Sequence, residues 1–433
     1  MKRLILANML FVLLGMTACG GDEKTRMPWE DDLGNQGDEP ELPQGAEPEV
    51  GKTLPGWSEG CLDIHFINSG RGECAFYILP DGTTLLVDAG EIVVNDGTGV
   101  PQRPNADTRP YYTYAQYIRH FLPEGHTSID WCSPSHFHID HIGSSAAATS
   151  TAAAGYRLSG LLALYHEVPF DRVLDMGYPD YGADTSIPAM DGDLAGDWQT
   201  FVTWGVANKR FTADRFRVGE EQITLLNNKS QYPTFRIFNI CANGYVWNLD
   251  SGTNQGTIVN THAAKGNPAS CGFHLRYGQF DYMSCGDASS GTQNRVADYY
   301  RDFIPQGSLD LFKAHHHLSS NGWGTQMQAN EFSPRVIINQ SLYDSQPDIP
   351  LLTDLLSGEF SSHAYTWTKD IFTTNVHPQT LVSNAALFRQ ISGYNGHIVV
   401  RVAPGGGEYS IYLLDDTDFG YRVKSIHGPY RSK

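Results

Sequence analysis

The chain has 433 residues, and its 48 acidic side chains outnumber its 30 basic ones, which gives a formal net charge of −18 at pH 7. Such a protein lacks the basic surface that binds a phosphate backbone, so general nucleic-acid binding is not expected. A composition that is 40% hydrophobic and 12% aromatic is typical of a globular protein with room for one large domain or two of average size.

The first residues have the pattern of an export signal. Residues 1–3 are basic at two positions, residues 4–16 form an apolar run too short to span a bilayer comfortably, and small residues precede Cys19. This segment resembles the lipobox of bacterial lipoproteins, in which that cysteine is acylated after cleavage. We therefore predict a signal peptide over residues 1–18 and a lipid anchor at Cys19, with an ordinary cleaved signal as the alternative. The predicted location is the cell envelope, at the outer membrane or cell surface, with the lipid as the membrane contact.

An acidic segment follows. Residues 20–50 contain ten acidic and two basic side chains with little apolar clustering. Such a stretch cannot bury enough surface to offset its ordering entropy. We predict a disordered tether over residues 19–55 and a folded domain over residues 56–433.

Six cysteines remain after Cys19. No Cys-x-x-Cys spacing indicates a metal or redox site, and most of them lie in apolar, strand-like runs. We predict buried free thiols, with disulfides as the alternative in an oxidising compartment. The six are Cys61, Cys74, Cys132, Cys241, Cys271 and Cys285.

The predicted elements begin directly after the tether. Alternating apolar residues predict strands over 61–67, 74–79 and 83–87, helical spacing predicts a helix over 112–122, and 128–132 is again strand-like. Later stretches predict helices over 292–303 and 350–356 and closing strands over 398–402 and 409–413. The order of elements is that of a mixed α/β protein.

The segment that carries the chemistry follows the strand over 128–132. It places His136, His138, Asp140 and His141 within six residues. In an extended chain alternate side chains share one side, so the first three converge, and His141 turns back if a helix begins there. Imidazole nitrogen and carboxylate oxygen are the ligands of zinc and similar divalent metals.

Two further segments fit the same centre. A strand-like run over 279–285 ends in Gly286-Asp287, which places a carboxylate at a strand tip. A second run over 309–314 leads into three consecutive histidines at 315–317. Adjacent side chains cannot all face one metal, so we expect one or two ligands among them, with an exposed His-rich turn as the alternative.

Together these segments resemble the metallo-β-lactamase superfamily, whose signature is His-x-His-x-Asp-His at the end of a strand. The likeness is closest to the extracellular metallo-hydrolase domain of ComEC-type competence proteins and covers residues 57 to about 415. In chain order, the matching blocks are residues 70–73, 88–90, 136–141, 286–287 and 313–319.

The resemblance implies an α/β (α+β) fold, the αββα four-layer sandwich, with the site at one edge of two packed sheets. Between about 155 and 235 lies an inserted or elaborated region. Its loops form one wall of a substrate cleft, or they merely cover the sheet; the sequence favours neither.

The resemblance also implies an enzyme with two divalent metal ions, zinc or alternatively manganese. The implied ligands are His136 and His138 for the first metal, Asp140, His141 and His316 for the second, and Asp287 as a bridge; His317, Asn267 and Asp88 are possible ligands or outer partners. Asp140 is also the predicted catalytic residue.

Three positions depart from the family pattern. Glu73 stands where the family has Asp, Leu318 where it has Gly, and Asn267 where many members have a third histidine for the first metal. The first metal site is therefore expected to be one strong ligand short. Lys313 is either a contact for an anionic substrate or a solvated flank.

The resemblance implies hydrolysis, and the substrate is a small-molecule or surface-attached ester. A phosphodiester is the leading hypothesis because the ComEC-like branch is linked to that chemistry. Lactam, lactone or thioester hydrolysis is the second hypothesis. A surface glycan-binding protein that kept the fold and lost turnover is the third.

Overall fold

The structure is a computed structural model that describes residues 47–181, 192–250, 255–260, 266–288, 292, 296, 309–319, 334–357 and 370–433. The signal peptide, Cys19, most of the acidic tether and almost all of the predicted helix over 292–303 lie outside the described residues. Within that part of the chain, no helix has the length and apolar character needed to cross a membrane.

Eighteen strands are present in the described residues. They are β1 Leu62–Phe66, β2 Ala75–Ile78, β3 Thr84–Val87, β4 Ile129–Cys132, β5 Phe170–Asp175, β6 Thr212–Arg215, β7 Phe235–Ala242, β8 Tyr245–Asp250, β9 Gln255–Asn260, β10 Gly272–Tyr277, β11 Phe280–Ser284, β12 Leu311–Lys313, β13 Val336–Asn339, β14 Asp370–Thr373, β15 Gly393–Tyr394, β16 His397–Val402, β17 Glu408–Leu414 and β18 Val423–Arg431. The helices are α1 Pro110–Phe121, α2 Ile139–Ile142, α3 Gly160–Glu167, α4 Ala195–Ala207, α5 Ile349–Ser357, α6 Pro378–Ser383 and α7 Ala385–Phe388.

The described strands form two sheets of nine. The first has the order β18-β17-β16-β1-β2-β3-β4-β5-β6, and the second has the order β15-β14-β13-β12-β11-β10-β7-β8-β9. Each sheet is mixed: β3 to β6 and β11 to β15 run parallel, and the other neighbours run antiparallel. Parallel strands end at one edge, so the loops after β3, β4, β11 and β12 meet there.

The two sheets pack face to face through aromatic side chains. The hydroxyl oxygens of Tyr77 and Tyr282 lie 3.0 Å apart, and the ring of Phe66 lies 6.4 Å from that of Tyr282. Strand side chains alternate, so His65 points to the other face. There its ring contacts α1 through Tyr117 and Phe121, at centroid distances of 5.6 and 4.9 Å.

Helices cover the outer face of the second sheet as well. Leu352 and Leu355 of α5 belong to a buried cluster that includes Ile337 of β13 and Ile371 of β14. The layer order is therefore helix, sheet, sheet, helix, and the predicted αββα four-layer architecture is confirmed.

The predicted helix over 112–122 is confirmed as α1. Pro110 occupies the first turn, where its missing N–H costs no hydrogen bond. Tyr114, Tyr117, Ile118 and Phe121 recur at helical spacing and are all buried. This apolar stripe fixes α1 on the first sheet.

The region from 155 to 235 contributes regular structure to the first sheet. It contains α3, β5, α4 and β6, and the two strands extend the parallel half of that sheet. The buried carboxyl group of Asp175, at the end of β5, accepts hydrogen bonds from Tyr181 and from Trp198 of α4, both at 2.7 Å. These bonds attach the following loop and α4 to the edge of the sheet.

The six described cysteines are free thiols. Five are buried and Cys61 is partly buried, so they pack as small apolar side chains.

One buried carboxyl group makes stability depend on pH. Burial, with the carboxylate of Asp281 adding to it, raises the pKa of Asp310 to about 8. The native state then holds a proton that the unfolded state has lost between about pH 4 and 8, so stability falls as pH rises through this window. We expect Asp310→Asn to remove roughly 4 kcal/mol of this dependence, measured by denaturant unfolding at pH 5 and pH 8.5.

Asp107→Asn, at an exposed position, is the matched control and should unfold like the native protein at both pH values. An Asp310→Asn protein whose stability changes with pH as the native protein's does would contradict this account of Asp310.

Candidate metal centre

The His-x-His-x-Asp-His segment follows β4 and ends in the single turn of α2. The carbonyl oxygens of α2 accept hydrogen bonds from the loop that follows β3: Ala89 donates to His141 and Glu91 donates to Ile139. Glu73, in the turn between β1 and β2, donates its backbone N–H to the carbonyl of Asp140 at 2.8 Å. These bonds hold the segment against the edge of the first sheet.

Glycine is required where the β3 loop meets α2. A Cβ atom on Gly90 would lie 1.8 Å from the backbone oxygen of Asp140. No real Cβ atom sits so close to backbone oxygen, so a side chain at Gly90 would displace Asp140.

Four side chains from three segments of the chain bring their ligand atoms together. Asp140, His141, Asp287 and His317 each offer one atom, and these atoms lie within 4.8 Å of one another. Nε2 of His317 lies 3.0 Å from Oδ2 of Asp140 and 3.3 Å from Oδ2 of Asp287, and Nε2 of His141 lies 3.2 Å from Oδ2 of Asp287. We call these residues the four-residue group.

The four-residue group is almost completely buried. His141, His317 and Asp287 are at most 2% exposed at their side chains, whereas Asp140 is 18% exposed. Solvent therefore reaches the group from the side of Asp140.

His136 and His138 lie beside the four-residue group. The ring of His136 is buried and lies 4.1 Å from the ring of His141 and 4.6 Å from that of His138. Two imidazoles are thus available next to Asp287 and its neighbours, as the predicted first metal site needs. Among the described residues, however, neither histidine belongs to a group whose ligand atoms all lie within 4.8 Å of one another, so the structure does not bring the predicted first site together as it does the four-residue group.

Among the three histidines at 315–317, the structure brings His317 rather than the predicted His316 to the four-residue group. His317, predicted as a possible ligand, belongs to the four-residue group. His316, predicted as the ligand, is half-buried and places Nε2 3.3 Å from the side-chain nitrogen of Asn267. His316, His317 and Leu318 all have positive φ angles, of 48°, 55° and 54°. This left-handed path turns His317, rather than its neighbour, toward Asp287.

Asp88 and Ser135 orient two of the imidazoles. Oδ2 of Asp88 lies 2.8 Å from Nδ1 of His141 and accepts a hydrogen bond from the hydroxyl of Ser135 at 2.7 Å. Because that proton goes to Asp88, the Ser135 oxygen is left to accept from Nδ1 of His136, which is 3.1 Å away. Both contacts occupy Nδ1 and leave Nε2 as the nitrogen available to a metal.

A buried ion pair lies directly behind the four-residue group. Nζ of Lys313 lies 2.8 Å from Oε2 of Glu73, and Oε1 of Glu73 lies 3.0 Å from Nδ1 of His317. Lys313 is 3% exposed, so the prediction that it flanks the site in solvent is wrong. The sequence did contain a sign of this burial, because Lys313 ends the apolar strand Leu311–Lys313. A buried lysine requires a nearby carboxylate.

Opposite charges shape the protonation of the group. Burial alone would lower the pKa of His141, but Asp287, Asp140 and Asp88 outweigh it and raise that pKa well above its usual value. Burial alone would raise the pKa of Asp287, but His317 and His141 outweigh it and hold that pKa well below its usual value. The carboxylate of Asp287 is therefore ionised, and it attracts positive charge to the position between the two rings.

The residues fit a divalent cation. Nε2 of His136 and Oδ1 of Asp287 are buried polar atoms without a hydrogen-bond partner within the described residues. Burying such atoms without a partner costs free energy, and a bound cation between them would offset that cost. Nitrogen and carboxylate oxygen in this number are the donors that zinc and manganese accept.

Comparisons with known proteins give similarities of fold alone. No family model and no curated protein matches the chain. Solved structures with a similar fold include a variant of the CmlA beta-hydroxylase, at 12% identity over 79% of this chain and 54% of that chain, with a TM-score of 0.38. Yeast PDE1 is 10% identical over 77% of this chain and 96% of its own, with a TM-score of 0.32.

Metallo-beta-lactamase SMB-1 is 12% identical over 65% of this chain and 85% of its own, with a TM-score of 0.29. The chain spans about half the length of the two CmlA structures that it matches, 54% and 45%, the second from Streptomyces venezuelae. Metallo-β-lactamase superfamily proteins are therefore among the fold neighbours, and at these scores the neighbours carry no argument about activity.

The two adjacent histidines give a direct test of the site. We expect His317→Ala to weaken zinc binding by at least about tenfold, because it removes one of four converging ligand atoms. His316→Ala is the matched control on the same turn and should weaken it less. Zinc titration against a competing chelator measures both. A protein that loses zinc with His316→Ala and keeps it with His317→Ala would contradict the assignment.

Proposed function

We propose that the protein is a metal-dependent hydrolase of the metallo-β-lactamase type that cleaves phosphoric esters, with phosphodiesters as the preferred class. The observation that supports this most is the four-residue group: two imidazoles and two carboxylates from three distant parts of the chain share one buried position. Side chains that serve only the stability of a fold seldom bring several buried polar atoms without hydrogen-bond partners to one place.

Two divalent ions are proposed, zinc first and manganese as the alternative. Asp140, His141, Asp287 and His317 would hold one, and His136 and His138, with Asp287 as the bridge, would hold the second. Such ions supply a water that loses its proton near neutral pH and positive charge beside the oxyanion of the transition state. The second site has fewer strong ligands, so it should bind more weakly.

Residues behind the imidazole rings would hold the metal ligands in their orientation. Asp88 fixes Nδ1 of His141, and the backbone carbonyl of Gln340 accepts from Nδ1 of His317 at 2.9 Å. Each ring then keeps Nε2 directed at the four-residue group. Because Asp140 is the exposed member, the substrate would approach along its side.

A phosphoryl group suits the side chains at this approach. Tyr343 is half-buried and lies near enough to Asp140, His317 and Arg71 to interact electrostatically with all three. The guanidinium of Arg71 is anchored through Nη1 to the backbone carbonyls of Gly70 and Val100. A phenolic hydroxyl and a guanidinium together favour an anionic ester.

The net charge of −18 favours small or surface-attached esters over long nucleic acids. We also propose that the protein is exported and anchored to the cell envelope by a lipid on Cys19, with the acidic segment as a tether. Mass spectrometry of the N-terminal peptide from membrane fractions tests this: an acylated Cys19 supports the anchor, and a free N-terminus after cleavage at another residue contradicts it.

The hydrolase proposal is tested with three substrates side by side: bis-p-nitrophenyl phosphate, nitrocefin and a thioester. We expect turnover of the phosphodiester with zinc or manganese bound. Asp140→Ala should lower that turnover at least about a hundredfold without unfolding the protein, because it removes a ligand and the exposed carboxylate of the group. Asp107→Ala, at an exposed position in the loop before α1, is the control and should keep full activity.

Faster turnover of nitrocefin or the thioester would replace the phosphodiester by the lactam, lactone or thioester class. Metal binding without any turnover would favour a surface glycan-binding protein. Fewer than one metal ion per chain after reconstitution would contradict the hydrolase proposal as a whole.

A further inference from the structure

We infer that the buried ion pair of Glu73 and Lys313 is a positioning device for the metal centre, which sets His317 and Asp140 for metal binding without itself contacting the metal. This inference rests on the proposed function, since it concerns the same site. It assigns a role to two residues that the four-residue group does not include.

Glu73 contacts the four-residue group in two independent ways. Its backbone N–H donates to the carbonyl of Asp140 at 2.8 Å, and Oε1 of its side chain lies 3.0 Å from Nδ1 of His317. One residue therefore contacts both the backbone of Asp140 in α2 and the imidazole of His317 in the turn after β12. These two segments are more than 170 residues apart in the chain.

The side of His317 that faces Glu73 is the side away from Asp140. Nδ1 of His317 meets Oε1 of Glu73 and the carbonyl oxygen of Gln340, whereas Nε2 lies 3.0 Å from Oδ2 of Asp140. The carbonyl of Gln340 can only accept, so the proton sits on Nδ1, and the carboxylate of Glu73 lies beside that N–H. A carboxylate behind a ligating imidazole also makes Nε2 a stronger donor to a metal.

Lys313 keeps the Glu73 carboxylate in this position. Its Nζ lies 2.8 Å from Oε2, so the two oxygens of one carboxylate are divided between Lys313 and His317. Both members of the pair are buried, with Glu73 1% and Lys313 3% exposed. A buried pair of this kind contributes little net stability but defines geometry strongly, because neither charge tolerates losing its partner.

The backbone around the pair leaves little freedom for another arrangement. A Cβ atom on Gly72 would lie 2.3 Å from the backbone of Gly90, so the turn that carries Glu73 is pressed against the β3 loop. Lys313 ends β12, which is bounded on both sides by parallel neighbours. The two charged groups therefore meet at a distance fixed by the sheets.

Metal affinity, measured without any substrate, tests the inference. Glu73→Gln and Lys313→Met change the charge near the site in opposite directions. If the pair acted through charge alone, losing the negative charge would weaken cation binding and losing the positive charge would strengthen it. A positioning device predicts weaker zinc binding in both variants, by about tenfold or more in a chelator competition.

A control separates this effect from the loss of any buried ion pair. Asp63 and Arg401 form such a pair on the first sheet, with Oδ2 of Asp63 2.6 Å from Nη2 of Arg401. Asp63→Asn should destabilise the fold and leave zinc affinity unchanged. The visible absorption bands of the cobalt-loaded protein should shift in Glu73→Gln and not in Asp63→Asn, because only the former disturbs His317.

The measurements distinguish failure of the positioning role from failure of the proposed hydrolase function. Should Glu73→Gln fail to fold, Lys313→Met, with a side chain of similar length, carries the test. Native zinc affinity in Glu73→Gln, or tighter zinc binding in Lys313→Met, overturns the positioning role while the hydrolase proposal stands. Failure of the native protein to bind zinc or manganese defeats the hydrolase proposal first.

Discussion

Burial of carboxyl groups at the edge between two sheets is the constraint on which the rest of the structure depends. Glu73, Asp88, Asp140 and Asp287 meet there around two imidazoles, and three of the four are buried to 2% exposure or less. Ionised carboxylates in such a place require positive charge and hydrogen bonds close by. Lys313 supplies part of that charge. A divalent cation would supply the rest, which links the fold to the proposed chemistry.

The backbone is bent to meet this constraint. Asp88 has a φ of 62°, and the turn through His316, His317 and Leu318 is left-handed throughout. Gly286, with a φ of 50°, brings the loop after β11 so close to Ser135 that a Cβ atom would lie 2.7 Å from the serine side chain. Left-handed conformations of residues other than glycine cost energy and concentrate at functional sites. Here two such segments, Asp88 and the turn through 316–318, lie at the four-residue group.

Much of the fold was predictable because it rests on local patterns. Alternating apolar residues predicted β1, β2 and the closing strands, and helical spacing predicted α1 and α5. The pairing of strands into two sheets is not local, and it followed from the family resemblance alone. The region from 155 to 235, predicted as inserted or elaborated, extends the first sheet through β5 and β6. The sequence did not predict these two strands, because their short apolar runs look the same as loops that cover a sheet.

The candidate site was predictable in part for the same reason. His136, His138, Asp140 and His141 lie within six residues, so the sequence alone placed four candidate ligands near one another. The choice between His316 and His317 depends on left-handed backbone angles at residues 316–318. The sequence did not indicate these angles, because Leu318 stands where a glycine would usually mark such a turn. The pairing of Glu73 with Lys313 joins residues 240 positions apart, so it required the packing of the two sheets.

Anomalous X-ray diffraction at the zinc absorption edge, from crystals of the zinc-loaded protein, tests the central claim most directly. The account predicts a strong peak among the side chains of Asp140, His141, Asp287 and His317, with a weaker second peak beside His136 and His138. A map with zinc bound elsewhere, and with the four-residue group intact and without a peak, would contradict it.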